Sequence, residues 1–231
     1  MSSSASPRVV SVQRFHSALQ PGRRLTLAGS NVVAFSYQGS WDGGCALHSA
    51  ALGISMLGHT LDPLHLTWRR GGAEAQFWKR AGPYYLAGIT LDDLATLIGE
   101  LNWGLRPAVF EGPHAEVIGF CEREIARGWP VILSWRKRRG SQHHAVLAIG
   151  IEGKQTGRVF NAQTLLVVDP SEAEPWLTVY NARLTWTGPE LPKRAAHALY
   201  VTASQRQTVL VAGAVSIRKT LAASGRKRKA P

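Results

Sequence analysis

Near Gly128 the hydrophobic pattern of this chain changes from a helical period to short β-type runs. Upstream, Ala46–Leu57 places Leu47, Ala50, Ala51, Ile54 and Leu57 at the spacing of a buried helical stripe, and Gly58 supplies a natural C-terminal cap. Thr90–Leu101 reads as an amphipathic helix: Thr90 is the N-cap, Asp93 takes the capping-box position, and Leu91, Leu94, Leu97, Ile98 and Leu101 share one face. Glu116–Arg127 is a third helix, ending at Gly128. Downstream, Pro130–Trp135, Ala145–Ile149, Leu165–Val168, Leu177–Tyr180 and Ala198–Thr202 are strand-like runs separated by turn residues. Val32–Tyr37 is an earlier strand leading into a Gly-rich loop, Gln38–Gly44. Helices first and an antiparallel sheet second is α+β order, with a helical N-terminal half packed on the sheet. Residues 1–30 read as a loose arm, 31–203 as the domain and 204–231 as a basic tail.

Of the 231 residues, 45% are apolar, enough for a core without covalent staples. Cys45 and Cys121 are the two cysteines, too few for a disulfide framework and more typical of a reduced, intracellular protein. The N-terminus has no apolar run suited to a signal sequence, and Val209–Ile217 is too short to cross a bilayer. A soluble, cytoplasmic protein is expected, although export without a cleaved signal would leave no trace in the sequence. The formal net charge is +12, and after Glu190 nine Lys and Arg residues meet no acidic residue. Such a tail either binds nucleic acid or acidic surfaces weakly or is a solvated end. The histidines show no metal-ligand spacing and there is no phosphate-binding Gly loop, so no cofactor is expected.

Three features carry chemistry. Cys45 follows an Asp-Gly-Gly turn at the start of a helix, where the helix dipole and unpaired N–H groups favour the thiolate. Gly43 and Gly44 beside it permit close backbone approach to a substrate. His143 and His144 precede the strand AVLAIG, and Asp169 ends the run LLVV, where a carboxylate can orient an imidazole.

The stretches VVAFSYQGSWDGGCALHSAALGISMLG, TLDDLATLIGELNWGLRPAVF, ARGWPVILSW, HHAVLAIG and VVDP occur in the order found in papain-like cysteine peptidases. The chain resembles that family over residues 31–170, and within it the bacterial branch that includes bacteriocin leader peptidases. The resemblance implies a papain-like fold and a cysteine peptidase with Cys45 as nucleophile, His144 as base and Asp169 as orienter. It also implies an oxyanion hole from the Gln38 amide and the Cys45 N–H, although the Gln-to-Cys gap is one residue longer than in the family. His144, directly preceding the apolar run, matches the family's base, and His143 then points the opposite way along the strand. An acyl transferase or glutamine deamidase would use the same site, and a catalytically idle binding module would use the same fold. The substrate implied is a protein or peptide. Arg136 and Arg138, in the loop before the histidines, either flank the cleft and favour acidic substrates or form a solvated hairpin tip. Trp41 and Trp135 are candidates to line the groove, and Cys121 reads as core.

Overall fold

The computed structural model describes residues 8–40, 42–60, 62–63, 71–188 and 196–220. Its strands are β1 (Val9–Phe15), β2 (Leu19–Gln20), β3 (Thr26–Leu27), β4 (Leu105–Glu111), β5 (Val131–Lys137), β6 (His143–Thr156), β7 (Val159–Val168), β8 (Ala182–Thr185), β9 (Ala198–Thr202) and β10 (Arg206–Lys219). Between them lie α1 (Cys45–Met56), α2 (Ala73–Ala81), a 3₁₀ turn at Gly82–Tyr84, α3 (Leu91–Glu100) and α4 (His114–Ala126). All strand pairings are antiparallel. The order β6-β5-β10-β9-β8-β7 closes on itself through the β6–β7 ladder, forming a six-stranded barrel. β1 and β4 extend the sheet by pairing with free stretches of the two 14-residue strands, β6 and β10.

This overturns the expected α+β, papain-like arrangement with a helical N-terminal half. The protein is mostly β, and the helices among the described residues are short, 9 to 13 residues apart from the 3₁₀ turn. Nor is the N-terminal part purely helical, since β1 and β4 both join the sheet. Residues 206–219, read from their charges as part of a tail, form β10, which pairs with β4, β5 and β9. Arg206, Arg218 and Lys219 sit at its ends, while Val209, Val211, Ala214, Val215 and Ile217 are buried. The Arg226–Lys229 run and Trp41 lie outside the described residues.

Strand alternation divides the apolar side chains into two cores. One gathers residues from all six barrel strands, among them Leu133, Val146, Val167, Leu184, Tyr200 and Val211, together with Val117, Phe120 and Cys121 of α4. The other packs α1, α2 and α3 against the opposite faces of β5, β6, β7 and β10, through Ile132, Leu147, Leu166 and Val215. α1 is buried on every side except at Cys45, its first residue, so the helix is a core element that presents one end outward. α3 begins as its sequence requires: the Thr90 hydroxyl oxygen accepts from the Asp93 N–H at 3.1 Å.

Glu124 of α4 clamps the helix to β10. Its carboxylate is buried and accepts hydrogen bonds from Ser216 Oγ at 2.8 Å, Arg218 Nε at 2.6 Å and Arg127 Nη1 at 2.8 Å. Burial alone would raise its pKa, but the Arg218 and Ser216 bonds outweigh it and hold the carboxyl below the ordinary value. Glu124→Ala is expected to lower unfolding stability in denaturant by about 2–3 kcal/mol, because charged hydrogen bonds are lost while both arginines remain solvated.

Candidate active site

Three separate elements bring Cys45, His144 and Asp169 together. Cys45 opens α1, whose N-cap, Gly44, makes no side-chain capping bond. The first-turn N–H groups are therefore left to the thiol, and the Ala46 N–H bonds the sulfur. Sγ also accepts from the Ala145 N–H of β6 at 3.4 Å, which ties the helix start to the barrel. His144, the second residue of β6, hydrogen-bonds Cys45, and its Nε2 donates to Asp169 Oδ1 at 2.8 Å. Asp169 follows β7 immediately.

Asp169 is fully buried. Besides His144, Oδ1 accepts from Ser171 N at 2.9 Å and Ser171 Oγ at 2.7 Å, and Oδ2 accepts from the Tyr200 hydroxyl at 2.6 Å. Its backbone is pinned as well: Asp169 N–H donates to Asn181 Oδ1 at 2.7 Å, and Asn181 Nδ2 donates to the Asp169 carbonyl at 2.8 Å. Trp135, opposite His144 in the β5–β6 register, packs edge-on to the imidazole at 5.2 Å and against Tyr200 at 4.7 Å. Trp135 thus supports the His144 ring from the barrel core.

These contacts set the protonation states. Burial alone would raise the Cys45 pKa, but the hydrogen bond and charge of His144, with the Ala145 and Ala46 N–H groups, bring it below the ordinary thiol value. Burial alone would lower the His144 pKa, but Asp169 and Cys45 push it up to about 9. Asp169 is held below the usual carboxylate range, because His144, Tyr200 and Ser171 outweigh its desolvation. Both shifts favour the thiolate–imidazolium pair over the neutral thiol and imidazole. Cys121, by contrast, is fully buried in α4 and its thiol is pushed up to about 12. Neither cysteine is in a disulfide.

The Gly-rich loop before Cys45 is tightly stitched. Asp42 accepts from Gly39 N–H at 2.7 Å and Gly44 N–H at 2.9 Å, and the Gln38 side-chain amide donates to the Asp42 carbonyl at 2.7 Å. The Gln38 N–H donates to the Pro170 carbonyl at 2.7 Å, joining this loop to the segment after Asp169. Gly43 is required by close approach: a Cβ there would meet Gly88 N at 2.7 Å and the Leu86 carbonyl at 2.8 Å. One turn into α1, buried His48 bonds Ser36 Oγ through Nδ1 at 2.7 Å and brings Nε2 within 4.0 Å of Asp42 Oδ2.

A cavity of about 470 Å³ opens beside the thiol, bordered by Gly43, Cys45, Gly88, His143 and Ala145. His143 occupies this side, opposite to His144, with Nδ1 3.1 Å from Ser134 Oγ. Arg136 and Arg138 are not among the described lining residues, and Arg136 Nη1 donates to the Gly140 carbonyl of its own hairpin. Among the described residues no group of His, Cys, Asp and Glu side chains is placed to hold a metal ion, and no helix is long and apolar enough to cross a membrane.

Tyr200, Ser171, Asn181 and Asp42 join the site without having been singled out in the sequence. Tyr200 carried a faint signal: in ALYVT it alternates with Leu199 and Val201, which places its side chain with Ala198 inside the barrel. The fold and site define a closed β-barrel protein bearing a helix-borne Cys with a His–Asp pair. In comparisons with known proteins, the chain matches no family model and no curated protein sequence.

Proposed function

We propose that the protein is a thiol hydrolase, a cysteine peptidase that cleaves peptide or isopeptide bonds through an acyl-enzyme on Cys45. The observation that carries this reading is the hydrogen-bonded chain from Cys45 through His144 to the buried Asp169 carboxylate, which the Tyr200 hydroxyl bonds from the other side. The Cys45 thiolate attacks the acyl carbon and forms a C–S bond. As the C–N bond breaks, His144 gives its Nδ1 proton to the leaving amine, since Nε2 is engaged by Asp169. Neutral His144 then takes a proton from water, which attacks the thioester, and release of the carboxylic acid restores the pair. In this scheme the Cys45 N–H and a Gln38 amide hydrogen hold the oxyanion; Gln38 uses one bond to Asp42 to fix its position. Two free cysteines, one of them the nucleophile, suit a reducing compartment such as the cytoplasm.

Iodoacetamide labelling tests the reading. Native protein is expected to take up one label, at Cys45, well below the ordinary thiol pKa of about 8.5, while buried Cys121 stays unlabelled. Labelling that rises only with an ordinary thiol profile would count against catalysis. Hydrolysis of a substrate should fall on both sides of neutrality, at low pH as the thiolate gains a proton. At high pH it falls as His144 loses its proton near 9 and can no longer protonate the leaving amine. Alkylation, which needs only the thiolate, should not fall above pH 9. A rate-against-pH comparison of the two reactions checks this divergence.

A further inference from the structure

We infer that the cavity beside Cys45 selects a substrate carrying a cationic side chain next to the scissile bond, with Glu111 as its counter-ion. This rests on the hydrolase reading and names the substrate class of that same site.

The cavity runs from the thiol to the meeting of β4 and β10, where its lining residues are Glu111, Ala212 and Gly213. Two backbone features create that end. The β5–β10 register shifts between Val211 and Gly213, so Ala212 has no ladder partner, and β10 bulges where the cavity lies. Gly213 is the register partner of Glu111. A Cβ at Gly213 would meet Leu91 Cδ1 at 2.7 Å and Glu111 Cγ at 3.1 Å. The missing side chain therefore keeps this end open and lets the Glu111 stem lie across it.

The walls between are mostly small or aliphatic, with Ala46, Ala87, Ile89, Leu91 and Ala145, and their polar groups are Thr90, Ser134 and the His143 imidazole, which Ser134 Oγ engages. Glu111 is the carboxylate among the described lining residues, and no Lys or Arg side chain accompanies it there. Glu111 forms no ion pair with a described cation, although the chain has 27 Lys and Arg residues against 15 Asp and Glu. The Cys45 thiolate is balanced by the His144 imidazolium, so the net negative potential of the cavity comes from the Glu111 carboxylate at its far end. A lysine or arginine stem can lie along those walls with its charged head at Glu111, a division that long basic side chains adopt readily. An apolar side chain of equal length would cover the carboxylate without pairing it, and an acidic one would be repelled.

The test uses irreversible peptidyl ketone electrophiles of one scaffold, with lysine, norleucine or glutamate at the two residues before the reactive carbonyl. Labelling of Cys45 is followed by intact mass. In native protein the lysine probe is expected to react at least tenfold faster than norleucine, and glutamate slowest. In Glu111→Gln the lysine-to-norleucine ratio should fall toward one, and in Glu111→Lys the order of lysine and glutamate should reverse. Because Glu111 is exposed, these variants should fold, and the native-protein ratio needs no variant at all. Equal rates for lysine and norleucine, or a lysine preference that survives Glu111→Gln, would overturn the inference. If fast iodoacetamide labelling persists in that case, the hydrolase reading stands. Slow iodoacetamide labelling with no reaction of any peptidyl probe would overturn both.

Discussion

Replacing Asp169 with alanine is expected to weaken the fold and the nucleophile together. Asp169 is fully buried and bonds His144, Tyr200 and both donors of Ser171. Removing it leaves an imidazolium and a buried phenol without their acceptor, a loss of about 3–5 kcal/mol for broken buried charge pairs. Chemical denaturation at pH 7 would measure it. The sign with pH follows from the depressed carboxyl: its stabilisation is complete above the ordinary pKa of about 3.9 and disappears as pH falls through the lower folded value. The gap between native and variant should therefore close in acid. Catalysis should fall about 10⁴-fold, the scale seen when a hydrolase triad loses its orienting carboxylate.

His144→Ala removes the charge that opposes burial at Cys45. At pH 6 a thiol with the ordinary pKa of about 8.5 is ionised to roughly 0.3%, so alkylation should drop by up to about 300-fold. Burial without the imidazolium keeps the thiol from falling below that ordinary value. Peptide hydrolysis should be undetectable, because the same residue also supplies the leaving-group proton. The imidazole is partly exposed, with 21% of its side chain accessible. Asp169 loses one partner but keeps its bonds from Tyr200 and Ser171, so the variant should be weakened less than Asp169→Ala, and denaturation at the assay pH separates a chemical loss from unfolding. Alkylation at an unchanged rate at pH 6 would remove the basis for a Cys–His couple.

The parts of this arrangement that were legible in the sequence are those with local causes. Cys45 at a helix start, the Thr90 cap of α3 and the neighbouring segments of His144 and Asp169 all follow from short-range patterning. Closure of the barrel does not, because it depends on pairings far apart in the chain. β10 looked like a tail since its ends are basic and its apolar run resembles any buried segment. β1 is exposed at six of its seven positions and shows no alternation; its backbone ladder to β6 holds it. Conversely, Val32–Tyr37 has the composition of a strand but forms only an isolated bridge, between Val33 and Thr26. Leu177–Tyr180 likewise becomes a turn, with Thr178 Oγ1 accepting from the Tyr180 N–H and Leu177 at φ +61. Tyr200 could not be linked to Asp169 without knowing that β8 pairs with both β7 and β9.

The order of strands around the barrel also bears on when the protein becomes reactive. β9 carries Tyr200 and is flanked by β8 and β10, while β5, which carries Trp135, is flanked by β6 and β10. Both supports of the His144–Asp169 pair therefore lean on the strand that comes last among those described. Ladders between such distant segments form slowly, because loop closure precedes any gain in contacts. A nascent or partly unfolded chain would hold Cys45 as an ordinary thiol, and the ion pair would arise only with the final seam. The lowered pKa of Cys45 is in this sense a property of the closed barrel and not of the helix start alone.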